Sequence, residues 1–313
     1  MCIRDRIIRL RTVPRCALIA LVVGTVTLAT IVDVVHAQGP GVLASVDWLA
    51  ENINDPNLVL LHVGMAHRGL PTEVIKGARF LEYTEIAVER DGLSTELATE
   101  QELVATFRRV GISNDSRVVV YADIGHIAAR AFLTLDYLGH GDRTSVLDGG
   151  LFAWKDIAGE LDTEFANGPA GTFEARVRSD LLVSADWIQE HLNDPSVTLI
   201  DARPEDEYTG TRPGRDNLRG GHIPGAYNLY WADLTRSETM PTLKEIDEVR
   251  ALFDEAGASK NGTVVNYCLI GMRASYTYMV SRHLGFNARF YDPSWNEWGA
   301  REDLPMVSGL KRN

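Results

Sequence analysis

Cys268 closes the run Val264-Val265-Asn266-Tyr267, and Leu269-Ile270-Gly271-Met272-Arg273 follows it directly. A short β-branched run reads as a buried strand and the stretch after Arg273 as a helix, so the thiol falls where a strand ends and a helix begins. A loop that opens a helix turns backbone N–H groups inward. Together with Arg273, the helix dipole there favours a thiolate, or an anion bound beside it. A reactive thiol would sit at such a point; the bland alternative is an inert buried cysteine, the commoner fate of a lone one.

The other two cysteines, Cys2 and Cys16, lie in a segment of different character. Arg4, Arg6, Arg9, Arg11 and Arg15 make a basic start, Cys16 to Val32 runs without a charge, and Val35-His36-Ala37 offers the small residues of a cleavage site. Residues 1–37 therefore read as a secretory signal peptide cleaved before Gln38, which implies a periplasmic or secreted protein. The alternative is an uncleaved anchor, the one case in which a membrane is a partner, although its uncharged run is shorter than the about 20 residues of a span. Cleavage removes five arginines and two aspartates, taking the formal charge from −12 to −15, and leaves Cys268 without a disulfide partner. A free thiol in an oxidising compartment is a liability unless it works. The acidic balance excludes a broad nucleic-acid surface, which needs clustered lysine and arginine. Eight scattered histidines and one cysteine make no metal site. No glycine-rich phosphate loop follows a first strand, so no nucleotide, flavin or nicotinamide cofactor is expected.

The elements that must position Cys268 emerge from an internal repeat. Ser45-Val46-Asp47-Trp48-Leu49-Ala50-Glu51-Asn52-Ile53-Asn54-Asp55-Pro56 returns as Ser184-Ala185-Asp186-Trp187-Ile188-Gln189-Glu190-His191-Leu192-Asn193-Asp194-Pro195, and an apolar run follows each copy. Both read as a capped helix, an Asp-Pro turn and a buried strand. Arg117 to Tyr121 matches Thr263 to Tyr267, Leu138-Gly139 matches Leu284-Gly285, and Val146-Leu147-Asp148 matches Phe290-Tyr291-Asp292. With amphipathic stretches over Glu100 to Val110 and Leu243 to Ala256, this predicts two α/β domains, each a mainly parallel sheet with helices on both faces. The domains are placed at 38–156 and 180–313, joined by a linker over 157–179 in which an edge strand over 172–177 is the alternative. Such sheets bind ligands beyond the carboxyl ends of their strands, where Cys268 falls.

The repeat breaks at the chemistry. Aligning Tyr121 with Tyr267 sets Ala122 opposite Cys268 and Ile127 opposite Arg273, so the first copy lacks both nucleophile and cation. Gly125 stands opposite Gly271, which predicts a loop backbone that survives without its chemistry. The first domain then serves as a wall beside the other copy's site, or simply stabilises the pair.

In this setting the motifs resemble those of tandem rhodanese-type sulfurtransferases, which carry a catalytic cysteine only in the second domain, at the head of a six-residue loop. Cys268 to Arg273 looks like that loop. Asp201-Ala202-Arg203, Glu207-Tyr208-Thr209-Gly210, Gly221-His222-Ile223-Pro224-Gly225-Ala226-Tyr227-Asn228 and Tyr291-Asp292-Pro293-Ser294-Trp295-Asn296-Glu297-Trp298 are the further matches. The resemblance covers residues 43–305 and implies two rhodanese-like domains, the first inactive. It implies ping-pong transfer of sulfane sulfur from thiosulfate to cyanide or a thiol, a thioredoxin-like protein thiol among them, through a persulfide on Cys268. Backbone amides of Leu269, Ile270, Gly271, Met272 and Arg273 would stabilise that persulfide. Arg203 and Arg273 are the residues it implies for the substrate anion, a sulfonate or a carboxylate alike. Arg273 equally suits pairing with an acidic group behind the loop, and the bland reading of Arg203 is a surface ion pair with Glu205 or Asp206. His222 reads as structural.

Thiosulfate-preferring members place basic residues after the cysteine and mercaptopyruvate-preferring ones small residues; Leu269 and Ile270 are neither. Thiosulfate is ranked first because the loop ends in arginine, with 3-mercaptopyruvate the runner-up. A cysteine phosphatase or arsenate reductase needs five residues between cysteine and arginine, and here four intervene. A cysteine hydrolase would need His222 or His283 beside Cys268, with Asp201 as the acid. A non-turnover carrier of sulfane sulfur, or a redox-sensing module, is the alternative of another class. A duplicated chain supplies internally what dimerisation would give, so a monomer is expected.

Overall fold

The duplication in the chain folds as two parallel sheets. The computed structural model describes residues 40–215, 218–237 and 242–312; the expected signal peptide, residues 1–37, lies outside them. The first half runs β1 (Leu43–Ala44), α1 (Val46–Asn52), β2 (Leu58–Gly64), β3 (Val74–Ile75), β4 (Arg79–Glu82), β5 (Ala87–Arg90), β6 (Leu93–Leu97), α2 (Glu100–Arg109), β7 (Arg117–Tyr121), α3 (Gly125–Tyr137), β8 (Thr144–Leu147), α4 (Gly150–Asp156) and β9 (Leu161–Asp162). The second continues with α5 (Ala185–Glu190), β10 (Val197–Asp201), α6 (Glu205–Thr209), β11 (Tyr227–Asn228), α7 (Ile246–Glu255), β12 (Thr263–Tyr267), α8 (Ala274–His283), β13 (Asn287–Phe290) and α9 (Ser294–Trp298).

Strand order is β1-β8-β7-β2-β4 in the first sheet and β11-β10-β12-β13 in the second, every pairing parallel. The match extends to an isolated parallel bridge from Leu182 to Phe290, the counterpart of Leu43 pairing with Val146. Helices cover both faces, which is why the central strands β7 and β12 are buried almost throughout rather than on alternate residues. The repeated serines start the paired helices: Ser45 Oγ accepts from Trp48 N and Ser184 Oγ from Trp187 N, each at 3.1 Å. Thr99 and Glu102 close a reciprocal capping box on α2.

One hydrophobic core spans the halves where α3 packs on α8, joining Ala128, Phe132 and Leu135 to Tyr276, Met279 and Val280. Asp136, buried on α3, gathers the Tyr278 hydroxyl at 2.7 Å, Arg282 Nε at 2.8 Å and Arg178 Nη1 at 2.5 Å across that seam. The segment expected as linker begins with β9, antiparallel to β3. It then crosses the first half as an extended strap, Gly171 N on Arg108 O, Phe173 N on Ile112 O and Arg176 N on Leu138 O.

One expectation about the first half is overturned. β7 ends at Tyr121 and α3 begins at Gly125, leaving three residues between them, whereas six separate β12 from α8. Gly125 opens α3 with helical backbone, while Gly271 has φ +78°. Gly125 to Ile127, aligned with Gly271 to Arg273, thus belong to the helix in the first copy and to the loop in the second.

Candidate active site

Parallel β10 and β12 deliver the residues that follow them to one edge of the second sheet. Cys268 is the first residue after β12, is buried, and is the free cysteine among the described residues. Its backbone is clamped by the start of α9: Cys268 N donates to Ser294 Oγ at 3.1 Å, Trp295 N to Cys268 O at 2.9 Å, and Asn296 N to Leu269 O at 2.9 Å. Ser294 has φ +57°, a left-handed conformation that brings its hydroxyl under the cysteine while donating to Tyr291 O at 2.9 Å.

Among the described residues, none accepts a hydrogen bond from the amides of Leu269 through Arg273. Five consecutive donors beginning next to a thiol are the supply an anionic sulfur requires. Gly271 permits the turn: beyond its φ of +78°, an added Cβ would lie 2.9 Å from Asp292 Oδ1 and 3.0 Å from Asp292 O. Only glycine meets both demands.

Arg273 is the N-cap of α8, and its Nη1 and Nη2 donate to the two carboxylate oxygens of Glu207 at 3.0 and 2.7 Å. Burial opposes its charge, but the Glu207 hydrogen bonds, with Cys268, Glu207 and Asp201 as neighbouring negative groups, outweigh this and raise its pKa. Of the two roles open to Arg273, the geometry assigns pairing behind the loop. The chain also folds over this pair, since a Cβ at Gly214 would lie 3.1 Å from Leu269 Cδ1 and 3.4 Å from Glu207 Oε2.

Arg203 is placed differently from the expectation. It follows the end of β10, yet its side chain has no exposed surface and folds back on Asp201, with Nε 3.0 and 3.1 Å from the carboxylate oxygens and Nη2 2.7 Å from Oδ2. Nη2 also donates to Gly221 O at 2.8 Å, and Cζ lies 4.6 Å from the Trp295 ring centroid. It therefore pairs with Asp201 rather than with Glu205 or Asp206, and it supports the tryptophan whose amide holds Cys268 O.

His222 is held within the second half's core. Its ring stacks on Tyr208 at 3.7 Å, Nδ1 lies 2.9 Å from Tyr208 O, and burial lowers its pKa, keeping it neutral. His283 belongs to the last turn of α8, at the end away from Cys268. His126, on α3, lies edge-on to Trp231, and burial with Arg273 and Arg68 lowers its pKa to about 4, so it too is neutral.

The first half also reaches the loop. Thr95, on β6, donates from Oγ1 to Ile270 O. Arg130, buried on α3, bonds Asp292 Oδ1 and Thr95 O, each at 2.6 Å, and Leu97 N donates to Asp292 Oδ2 at 2.8 Å. Sequence reasoning had not assigned roles to Glu207, Ser294, Thr95 or Arg130. Arg130 left a signal: it interrupts the apolar run Ile127-Ala128-Ala129-Arg130-Ala131-Phe132-Leu133, where an arginine needs a buried partner.

Fold and site together define a duplicated α/β protein that carries a buried thiol on a strand-to-helix loop in its second half. The chain belongs to the rhodanese-like domain family, whose pattern matches residues 45–157 and again 184–301. It is 33% identical over 283 residues to the sulfur carrier protein TtuD of Thermus thermophilus, covering 86% of this chain and 98% of that one. It is 31% identical over 276 residues to the 3-mercaptopyruvate sulfurtransferase of Escherichia coli K12, covering 83% and 95%. The crystal structure of SseA from Escherichia coli superposes with a TM-score of 0.71 at 27% identity, over 82% of this chain and 99% of that one.

Proposed function

We propose that Cys268 is the nucleophile of the sulfurtransferase chemistry this chain carries, with thiosulfate as the donor and cyanide or a thiol as the acceptor. The Cys268 thiolate attacks the outer sulfur of thiosulfate, a sulfur–sulfur bond forms, and sulfite departs with the electron pair of the bond that breaks. The acceptor then attacks the terminal sulfur and the thiolate is regenerated. The observation that carries this reading is the run of unengaged amides from Leu269 to Arg273 beside the thiol.

Thiosulfate is favoured over 3-mercaptopyruvate by the leaving group. Sulfite leaves without a proton, whereas pyruvate leaves as an enolate that must be protonated. Leu269, Ile270 and Met272 supply no acid, and His222 is turned to Tyr208 O. 3-Mercaptopyruvate is the runner-up, supported by the Escherichia coli relative. The Thermus relative supports a second reading, a carrier that passes its persulfide only to a partner's thiol.

Intact mass of the protein and of Cys268→Ser, before and after each donor and after a cyanide chase, tests these readings. A gain of about 32 Da that needs Cys268 and disappears with cyanide is the expected result, and the faster donor identifies the substrate. A persulfide that resists cyanide but moves to a protein thiol makes the chain a carrier. No added mass from either donor refutes sulfur transfer through Cys268.

A further inference from the structure

We propose that Thr95, in the first half, is a positioning residue for the sulfur-transfer loop, its hydroxyl fixing the direction of the Ile270–Gly271 peptide. The inference rests on Cys268 as the reacting thiol.

Three observations converge on Thr95. Its φ is +63°, a left-handed conformation that a β-branched side chain rarely adopts and that persists only where the surroundings enforce it. It sits in a β-bulge: Val88 pairs with Glu96 and Arg90 with Leu93, so Ser94 and Thr95 together oppose Glu89. A bulge re-aims a side chain out of the ladder. Here the re-aimed hydroxyl crosses to the second half and reaches Ile270 O, 175 residues further along the chain, sharing its single proton between that carbonyl and Ser94 O at 2.7 Å.

The surroundings that hold this conformation are themselves buried. Arg130 Nη2 donates to Thr95 O at 2.6 Å while its Nη1 binds Asp292 Oδ1 at 2.6 Å, and the other Asp292 oxygen accepts from Leu97 N at 2.8 Å. One guanidinium–carboxylate pair thus pins the chain at Thr95 itself and again two residues on, at Leu97. The same pair backs Gly271, since a Cβ there would come within 2.9 Å of Asp292 Oδ1 and 3.3 Å of Arg130 Nη1.

Peptide geometry gives the contact its effect. In a trans peptide the carbonyl of one residue and the N–H of the next point in opposite directions. Drawing Ile270 O toward the β5–β6 hairpin turns Gly271 N–H away from it, back into the loop that starts at Cys268. Without the hydroxyl, that peptide is free to rotate, and one donor to the charged sulfur is lost for part of the time.

Thr95→Gly, Thr95→Val and Thr95→Ser separate this role from packing. Measured for each are the pH profile of Cys268 alkylation by iodoacetamide, kcat and KM for thiosulfate with cyanide, and Tm. Thr95→Gly relieves the strained backbone, so it should unfold no earlier than wild type, yet its alkylation profile should move to more alkaline pH and kcat fall roughly tenfold with KM within twofold. Thr95→Val should show the same kinetic defect, and Thr95→Ser should restore both profile and kcat. A wild-type profile in Thr95→Gly, or a Thr95→Ser variant as impaired as Thr95→Val, overturns the proposal. The alkylation arm needs no sulfur donor, so failure of the sulfur-transfer reading shows up separately, as a wild-type protein that takes no sulfur from thiosulfate.

Discussion

Glu207 and Arg273 meet through two parallel hydrogen bonds of 3.0 and 2.7 Å, and only 5% of the Glu207 side chain reaches solvent. The pair joins α6 to the N-cap of α8, so it closes the Cys268–Arg273 loop like a buckle. Glu207→Gln keeps the shape but removes the charge, leaving a largely buried guanidinium uncompensated. Breaking a fully buried pair costs about 3–5 kcal/mol, and the partial exposure of Arg273 reduces this to roughly 2 kcal/mol. Urea unfolding should register that loss, together with persulfide loading at least about tenfold slower. Wild-type loading in Glu207→Gln would refute the pair as what shapes the loop.

Arg203 and Asp201 have no exposed side-chain surface. Arg203→Ala is expected to lower stability by about 3–5 kcal/mol, because Asp201 keeps a buried, unpaired charge. The fraction that folds should show a thiosulfate KM within about twofold of wild type. A tenfold rise in KM with unchanged Tm would return Arg203 to the substrate.

Gly271→Ala combines a left-handed backbone with a Cβ 2.9 Å from Asp292 Oδ1. The expected cost is about 2 kcal/mol or more, with sulfur loading abolished because the loop must shift to accept the methyl. Loading at the wild-type rate would show that the loop tolerates a different turn.

Glu96 lines a cleft of about 550 Å³ with Asp292, Pro293 and Glu297. Burial first, then the Asp292 carboxylate, raises its pKa from an ordinary 4.5 to about 8 against the pull of Arg130, with Glu297 adding to the rise and Arg90 opposing it. The folded protein therefore keeps a proton that the unfolded chain has released between these two values, and stability falls as pH rises through that window. Because Glu96 is partly solvated, the effect is on the order of 1 kcal/mol. Denaturant melts of Glu96→Gln from pH 5 to 9 should show a flatter profile and a protein more stable than wild type at pH 9. Parallel profiles for the two proteins would exclude Glu96 as the titrating group.

The scaffold was legible in the chain because its signals are local. The run from Thr263 to Tyr267 is a strand as expected, Ser45 and Ser184 cap helices as their spacing indicated, and the amphipathic stretch from Leu243 to Ala256 became Ile246–Glu255. The position of Cys268 at a strand end follows from the same pattern. The direction of a side chain does not: Arg203 could reach outward or fold back on an acid two residues earlier, and only packing against Trp295 decides. Contacts such as Arg130 with Asp292, 162 residues apart, leave no periodic trace. Gly125 misled because identity at an aligned position says nothing about where the following helix begins.

The link between Arg130 and Asp292 also bears on the order in which the protein is made. Ribosomes extend a chain by about 5–20 residues per second, so roughly 8 to 32 s pass between the appearance of Arg130 and that of Asp292. The earlier half, with its hairpin and α3, is available as a template before the reactive loop is synthesised. Placing the halves on separate polypeptides would replace an encounter guaranteed by tethering with one that depends on concentration, and a cell relying on such a split version would gain activity only as fast as the two pieces could find each other.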